Sequence, residues 1–333
     1  MTRPGPLLIL TMPGFGIETL RHLVALPGWP AAGVQVALVG QRPPAWRQAA
    51  AWARRSAQRR QDRLHPLAES TLCAGPAERF LREQGFPLCW LGTDDEVRLH
   101  RLAVRPALTL TITSRILFSA CTLADPESDW FNVHPGLLPE YAGATPAPYM
   151  FLDGVGGCTI HRMAARVDAG AVLDRAPMSG PLAPDGGTYF FEQLPAHTAG
   201  RVSALLGHWV SRQGWPPLGA ASPVGLHHCS SRRLAADRQL DWTWPAERLV
   251  RWVRALAGMA PGWWADGRGR QVEVTAAEPG STVAVGQPGL VRSRHGRGVE
   301  VACGGGSVVL RCRARSAVQA GQCLPLVLQK GRA

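Results

Sequence analysis

The opening of the chain constrains its fold more than any other part. Leu7–Met12 is a strand candidate, apolar but for Thr11, closed by the turn Pro13-Gly14-Phe15-Gly16. Ile17, Leu20, Leu23, Val24 and Leu26 then recur at helical spacing, and Val34–Val39 (VQVALV) is a second strand candidate ended by Gly40. Strand, amphipathic helix and strand in that order form a β–α–β unit, which belongs to a parallel sheet with a right-handed crossover. An open parallel sheet binds its ligands beyond the carboxyl ends of its strands. The turn itself is not a G-x-G-x-x-G fingerprint, no ribose-binding acid follows it, and there is no P-loop, so the unit carries no nucleotide motif.

With 333 residues the chain is long for one core, and two domains are expected. The α/β pattern continues with a helix at Glu78–Gln84, a short strand at Pro87–Leu91 and an alternating strand at Leu108–Thr113. After these come a helix at Tyr149–Leu152, strands at Cys158–Met163 and from Ala171 to Leu173, and a long helix at Thr188–Trp209. Gly214–Pro223 reads as a linker by composition. From Ser230 the texture changes. Pro245–Leu256 is a short amphipathic helix with proline at its start. Val272–Thr275, Ser281–Val285, Val299–Ala302, Val308–Cys312 and Leu324–Leu328 are short strands between Gly-rich turns, a spacing that predicts a small barrel or sandwich. The boundaries that follow are 1–213 for the α/β part, 214–230 for the linker and 231–333 for the β part.

The net charge of +12 invites a polyanionic partner, such as a nucleic acid or an anionic cofactor. Lys330 is the one lysine, so the charge is arginine almost throughout, a bias that base composition also produces. Ala45–Arg63 holds arginines at 47, 54, 55, 59, 60 and 63 with Trp46 and Trp52 among them. It reads as a solvated helix or as a basic arm for phosphates, with Arg54, Arg55, Arg59 and Arg60 as its contacts and Arg232 and Arg233 adding a second basic point. No run approaches the roughly 18 apolar residues of a membrane span. The apolar run at Leu7–Leu10 is short for a signal peptide and lacks a small-residue cleavage pattern, so a cytoplasmic location is expected, with no membrane. The eight cysteines are scattered without C-x-x-C spacing, and His227-His228-Cys229 has no second cluster to complete a metal site, so none is expected.

The chemistry concentrates at Phe131–Pro146, where a strand runs out into a stretch broken by prolines and glycines. Asn132 and His134 are two apart on that strand and share a face. Asp168 follows the next strand in a tight Asp-x-Gly turn, and in a parallel sheet it returns to the same edge. A carboxylate beside an imidazole fixes its tautomer and stabilises its cation, and a nearby amide can donate to a developing oxyanion. These parts suit attack on a carbonyl with proton transfer. No G-x-S-x-G elbow or catalytic cysteine accompanies them, which leaves the substrate to supply the nucleophile. The same three residues also read as a capping Asn, a satisfied core His and a turn Asp. As metal ligands they are weaker, because Asn binds zinc poorly.

Phe131–Pro146 (FNVHPGLLPEYAGATP) followed by Gly157–Leu173 (GCTIHRMAARVDAGAVL) resembles the core of the folate-dependent formyltransferases. Ser230–Leu256 followed by Gly262–Val274 resembles the C-terminal domain of the methionyl-tRNA-acting members, a barrel of oligonucleotide/oligosaccharide-binding type; some sugar-acting members have a related domain. The resemblance implies a Rossmann-like catalytic domain with a small OB-like barrel behind it, and 10-formyltetrahydrofolate as formyl donor with no metal. It implies Asn132, His134 and Asp168 as the catalytic set, with a primary amine attacking the formyl carbon and Asn132 and His134 holding the oxyanion. It places Gly136, Leu137, Leu138 and Pro139 against the folate, and Arg115, Ile116 and Leu117 on the loop that holds the pterin. That loop departs from the family by carrying Phe118 where a proline is usual, and Ala142 stands where methionyl-tRNA enzymes usually have arginine. The acceptor implied is a small amine, an amino sugar or amino acid derivative; the alternatives are initiator tRNA and a non-catalytic folate- or RNA-binding role.

Overall fold

The computed structural model describes residues 5–30, 32–44, 74–125, 128–211, 214–220, 229–266, 269–283, 286–313 and 318–325. The Arg-rich segment at 45–63 and the pair His227-His228 lie outside the described residues.

The β–α–β opening is present: β1 (Leu7–Thr11), α1 (Phe15–Val24) and β2 (Val34–Val39), with β1 and β2 parallel. The chain continues through α2 (Ala74–Glu83), β3 (Trp90–Leu91), α3 (Asp94–Val104), β4 (Leu108–Ile112), α4 (Ala120–Leu123) and β5 (Asp129–His134). Next come α5 (Ala147–Asp153), β6 (Gly157–Arg162) and β7 (Val172–Pro177). The long helix expected at Thr188–Trp209 is present: the chain is helical without a break from Gly186 to Ser211, with a wider π turn at Tyr189–Gln193 leading into α6 (Leu194–Ser211).

These strands form a seven-stranded sheet in the order β3-β2-β1-β4-β5-β6-β7. β1 to β5 are parallel, while β6 and β7 are antiparallel to their neighbours. Alternation divides β1 between two cores. Leu7 and Ile9 join the large core with residues of α1 and α6, and Leu8 and Leu10 join a smaller one with Val97 of α3, Phe118 and Trp130. A strand buried on both faces carries an apolar run such as Leu7–Leu10.

The pattern at Asp94–Val104 is one that sequence reading misses. Leu99 and Leu102 are 58% and 62% exposed, while Arg101 is buried, so the apolar stripe is inverted. Arg101 lies over the Trp130 ring, donates to the Thr122 carbonyl and pairs with Asp125, which is how a buried guanidinium is tolerated. The helix start was nevertheless written in the chain: Thr93 accepts the Glu96 N–H, and Glu96 reaches back to the Gly92 N–H, a reciprocal cap.

The last part of the chain is helical first: α7 (Ser231–Asp237) and α8 (Ala246–Leu256). β8 (Gly262–Ala265), β9 (Gln271–Pro279), β10 (Val291–His295), β11 (Gly298–Cys303) and β12 (Gly306–Cys312) then form an antiparallel sheet in the order β10-β11-β12-β9-β8. The strand expected at Ser281–Val285 is not one at residues 281–283, where Val283 is 68% exposed. Its place is taken by β10, whose sequence VRSRH hides its one apolar residue, Val291, at the start of an otherwise polar strand. α8 packs between the two parts. It touches α5 on one side and β9 on the other, and Trp242, Trp252 and Trp264 are fully buried around it. Among the described residues, no helix is long and apolar enough to cross a membrane.

Candidate active site

β5 delivers Asn132 and His134 to one face of the sheet at its carboxyl end, while Phe131 and Val133 point into the large core. β6 lies beside it in antiparallel register, with Asn132 opposite His161 and His134 opposite Thr159. This corrects the expectation of a parallel return. An antiparallel β6 ends at the far edge, and Asp168 reaches His134 because the 163–171 loop folds back along the sheet. The loop is closed by the Arg162 N–H donating to the Ala171 carbonyl. It also depends on Gly170, since a Cβ there would sit 1.7 Å from the Arg162 carbonyl oxygen. Asp168 itself adopts φ 53°, a left-handed conformation that a short polar side chain tolerates.

The four side chains converge. Asp168 Oδ1 is 3.6 Å from His134 Nδ1 and 3.7 Å from His161 Nε2, and Asp168 Oδ2 accepts the Gly143 N–H at 2.8 Å. His134 Nε2 is 2.8 Å from the Tyr141 carbonyl, which can only accept, so Nε2 carries a proton. Nδ1 therefore faces the carboxylate bare when the ring is neutral and as an N–H when it is protonated. Asn132 Nδ2 is 3.0 Å from His161 Nε2. The sequence reading thus brought together Asn132, His134 and Asp168 and missed His161.

His161 is 2% exposed. Burial, then the neighbouring His134, push its pKa down to about 4, against the opposing pull of Asp168. Its ring is neutral in the folded state, whereas in the unfolded chain it takes up a proton below about 6.5. Stability from this group is thus complete above pH 6.5 and is lost as pH falls from 6.5 to about 4, on the order of 3 kcal/mol in all. His161→Leu should flatten the stability profile across that window, which denaturant titrations from pH 7 to 4 would show.

The loop after β5 is held by side chains that the sequence reading passed over. Thr159, fully buried, accepts the Leu138 N–H at 3.0 Å and donates to the Gly136 carbonyl at 2.8 Å. Arg175 donates to the Leu138 carbonyl and pairs with Glu140. Gly136 is required, because a Cβ there would lie 2.9 Å from both His134 Nε2 and Pro146 Cβ. Thr159→Val leaves a buried donor and a buried acceptor unmet. It should cost about 2–3 kcal/mol in thermal or urea unfolding, and it should raise KM for whatever occupies the turn.

On the far side, the Cys229 N–H donates to the Ala142 carbonyl, and the Cys229 carbonyl accepts from the Thr145 N–H and hydroxyl. The end of the 214–230 linker segment therefore props the loop that supplies Gly143 to Asp168. Gly136, Leu137 and Leu138 are buried, with Pro139 beside them. Arg115 and Leu117 are exposed on the loop beyond β4, where Leu117 is 75% exposed, and Ile116 packs partly into the smaller core. Among the described residues, no group of three or more His, Cys, Asp or Glu is placed to hold a metal ion.

Comparison with known proteins gives two family matches. The formyl transferase family model matches residues 102–178, and the model for the formyl transferase C-terminal domain matches residues 234–317. The methionyl-tRNA formyltransferase of Thiobacillus denitrificans is 32% identical over 189 residues, covering 56% of this chain and 59% of that protein. The chain thus spans somewhat under two thirds of the length of this curated relative. Among solved structures, the N-formyltransferase from Helicobacter canadensis, in complex with folinic acid and dTDP-3-aminofucose, superposes with TM-score 0.60 at 10% identity, covering 92% of this chain and 99% of that one. A sugar N-formyltransferase from a Shewanella species gives TM-score 0.57 at 17% identity, covering 82% and 98%. These structural likenesses establish the fold.

Proposed function

We propose that this chain, a relative of the formyl transferases through both its α/β part and its C-terminal part, transfers a formyl group from 10-formyltetrahydrofolate to a primary amine. The observation that carries the reading is the convergence of Asn132, His134 and Asp168 at the carboxyl edge of the parallel strands, within hydrogen-bond or ion-pair reach of one another or of a shared neighbour. The donor fits the residues present. The 113–119 loop and the 136–139 turn flank that edge, and the half-buried Asn132 amide keeps donor capacity beyond its bond to His161. The donor supplies the formyl group as an activated amide.

The protein's own part is electrostatic and positional. As an amine nitrogen adds to the formyl carbon, the carbonyl oxygen gains negative charge; the remaining Asn132 N–H donates to it, and the His134 ring, held by the Tyr141 carbonyl and Asp168, acts on it through its positive charge when protonated. The proton shed by the nitrogen has an acceptor in Asp168, whose Oδ1 lies between two imidazoles while Oδ2 is anchored by Gly143. Collapse of the tetrahedral intermediate breaks the bond between the formyl carbon and the folate nitrogen, which takes up that proton and leaves as tetrahydrofolate.

A small amine, such as an amino sugar or an amino acid derivative, is the acceptor favoured by the loop beside Asp168. Ala142 is buried, and its carbonyl is bonded to Cys229, so no basic side chain projects from that place. A second reading, initiator methionyl-tRNA, is supported by the name of the 32%-identical relative and by Arg232, which is exposed at the start of α7. Arg233 supports it less, since it pairs with Asp237 and lies over the Tyr149 ring. The deciding assay supplies 10-formyltetrahydrofolate with either charged initiator tRNA or a panel of amino sugars, nucleotide-linked and free, and amino acid derivatives, and follows tetrahydrofolate release. Turnover with an amine from the panel and not with tRNA is expected. Turnover with tRNA alone, at an affinity that falls steeply with salt, would transfer the assignment to the second reading.

A further inference from the structure

The Asn132 amide is held in one orientation by a buried histidine that the reaction itself does not use, and the bonding around that histidine can be worked out from hydrogen-bond chemistry alone. His161 Nδ1 is 3.0 Å from the Arg162 carbonyl oxygen, which only accepts, so Nδ1 carries the proton. A neutral ring then has a bare Nε2, and the partner 3.0 Å away must donate to it. Asn132 therefore turns Nδ2, not its carbonyl oxygen, toward His161, which leaves one N–H and the amide oxygen for reacting groups. We infer that His161 is a positioning residue for formyl transfer, a neutral imidazole whose Nε2 lone pair fixes which way the Asn132 amide points. The inference rests on the reading of Asn132 as a group that stabilises the oxyanion.

Several features support a positioning role over mere core filling. An apolar residue would fill the volume of His161 without needing two polar partners, yet both ring nitrogens are bonded and the ring is 2% exposed. Antiparallel register puts His161 directly opposite Asn132, so the contact is built into the sheet and not into a mobile loop. The ionisable groups that face the ring are His134 from β5 and Asp168 from the folded-back loop, while the Arg162 guanidinium turns away to Asp129. A proton arriving on Nε2 would abolish the acceptor and offer an N–H to Asp168 Oδ1, 3.7 Å away. It would release Asn132 and divert Asp168 from His134 in one event. The buried neutral ring guards against that.

Two measurements test this. The first needs no substrate. In protein carrying 15N-labelled histidine, His161 should show a protonated Nδ1 and a bare Nε2 at pH 7, and Asn132→Ala should shift the Nε2 resonance. A protonated Nε2 at that pH would overturn the inference.

The second is a kinetic double-mutant cycle. His161→Leu should lower kcat about 10- to 100-fold with KM for the formyl donor changed little, as misplacement of a catalytic group does. His161→Gln, whose amide oxygen can accept from Asn132, should recover most of the loss. In the Asn132→Ala background, His161→Leu should change kcat less than about twofold, because the group it positions is gone. Losses that multiply across the two backgrounds, or a kcat for His161→Leu equal to wild type, would refute the positioning role. Wild-type protein inert toward every acceptor would refute formyl transfer instead, and the resonance assignment would still decide the state of His161.

Discussion

His134→Ala should lower formyl transfer by at least about three orders of magnitude while the protein stays folded. The ring is 4% exposed, its Nε2–H is bonded to the Tyr141 carbonyl, and its Nδ1 faces Asp168 Oδ1 at 3.6 Å. Alanine removes the charge-stabilising ring and the partner of the carboxylate together, so the effect exceeds that of a single lost hydrogen bond. Stability should fall by about 2 kcal/mol, the cost of a small cavity and an unmet carbonyl. Steady-state rates with parallel thermal unfolding separate the two effects. A variant that unfolds like wild type within a few degrees yet retains wild-type rates would remove His134 from the reaction.

Asp168→Asn should cost about 10²- to 10³-fold in kcat and little in stability. This isosteric change keeps an oxygen able to accept the Gly143 N–H, which the structure assigns to Oδ2 at 2.8 Å, and removes only the negative charge between the two imidazoles. The variant thus isolates charge from scaffolding. If Asp168 served only to tether the 142–145 loop, Asn would do as well, and kcat would be unchanged.

How far the chain announced this site varies from residue to residue. Asn132 and His134 were legible because a polar pair at strand spacing interrupts an apolar strand just before a run of prolines and glycines. Asp168 was legible through its Asp-x-Gly turn, but the route by which it arrives was not. Sequence periodicity shows that β6 is a strand without showing its direction, and the connection at residues 135–156 is long enough for either direction. That same unknown hid His161. On a parallel β6 it has no reason to meet Asn132, whereas in antiparallel register the pairs Asn132–His161 and His134–Thr159 stand opposite each other on one polar face. Two polar alternations, N-x-H and T-x-H, were the available signal, and the strand direction was needed to combine them.

The fold shows the same division. The β–α–β opening, α8 and the strands β9, β11 and β12 follow from apolar periodicity, because burial of one face is what the period records. α3 does not, because a buried Arg101 satisfied by Asp125, the Thr122 carbonyl and the Trp130 ring stands where the stripe needs an apolar residue. β10 does not, because it is an edge strand of mostly charged and polar residues. In both cases tertiary partners, invisible to local pattern, decide the element.

The most direct test of the account is stoichiometric. Purified protein is given 10-formyltetrahydrofolate carrying an isotopic label in the formyl group, together with candidate amines, and both products are measured by mass spectrometry. Labelled N-formyl amine and tetrahydrofolate are expected in equal amounts, dependent on the acceptor and absent with His134→Ala. Tetrahydrofolate released with labelled formate and no formylated amine, or no release with any amine or charged tRNA, would contradict it.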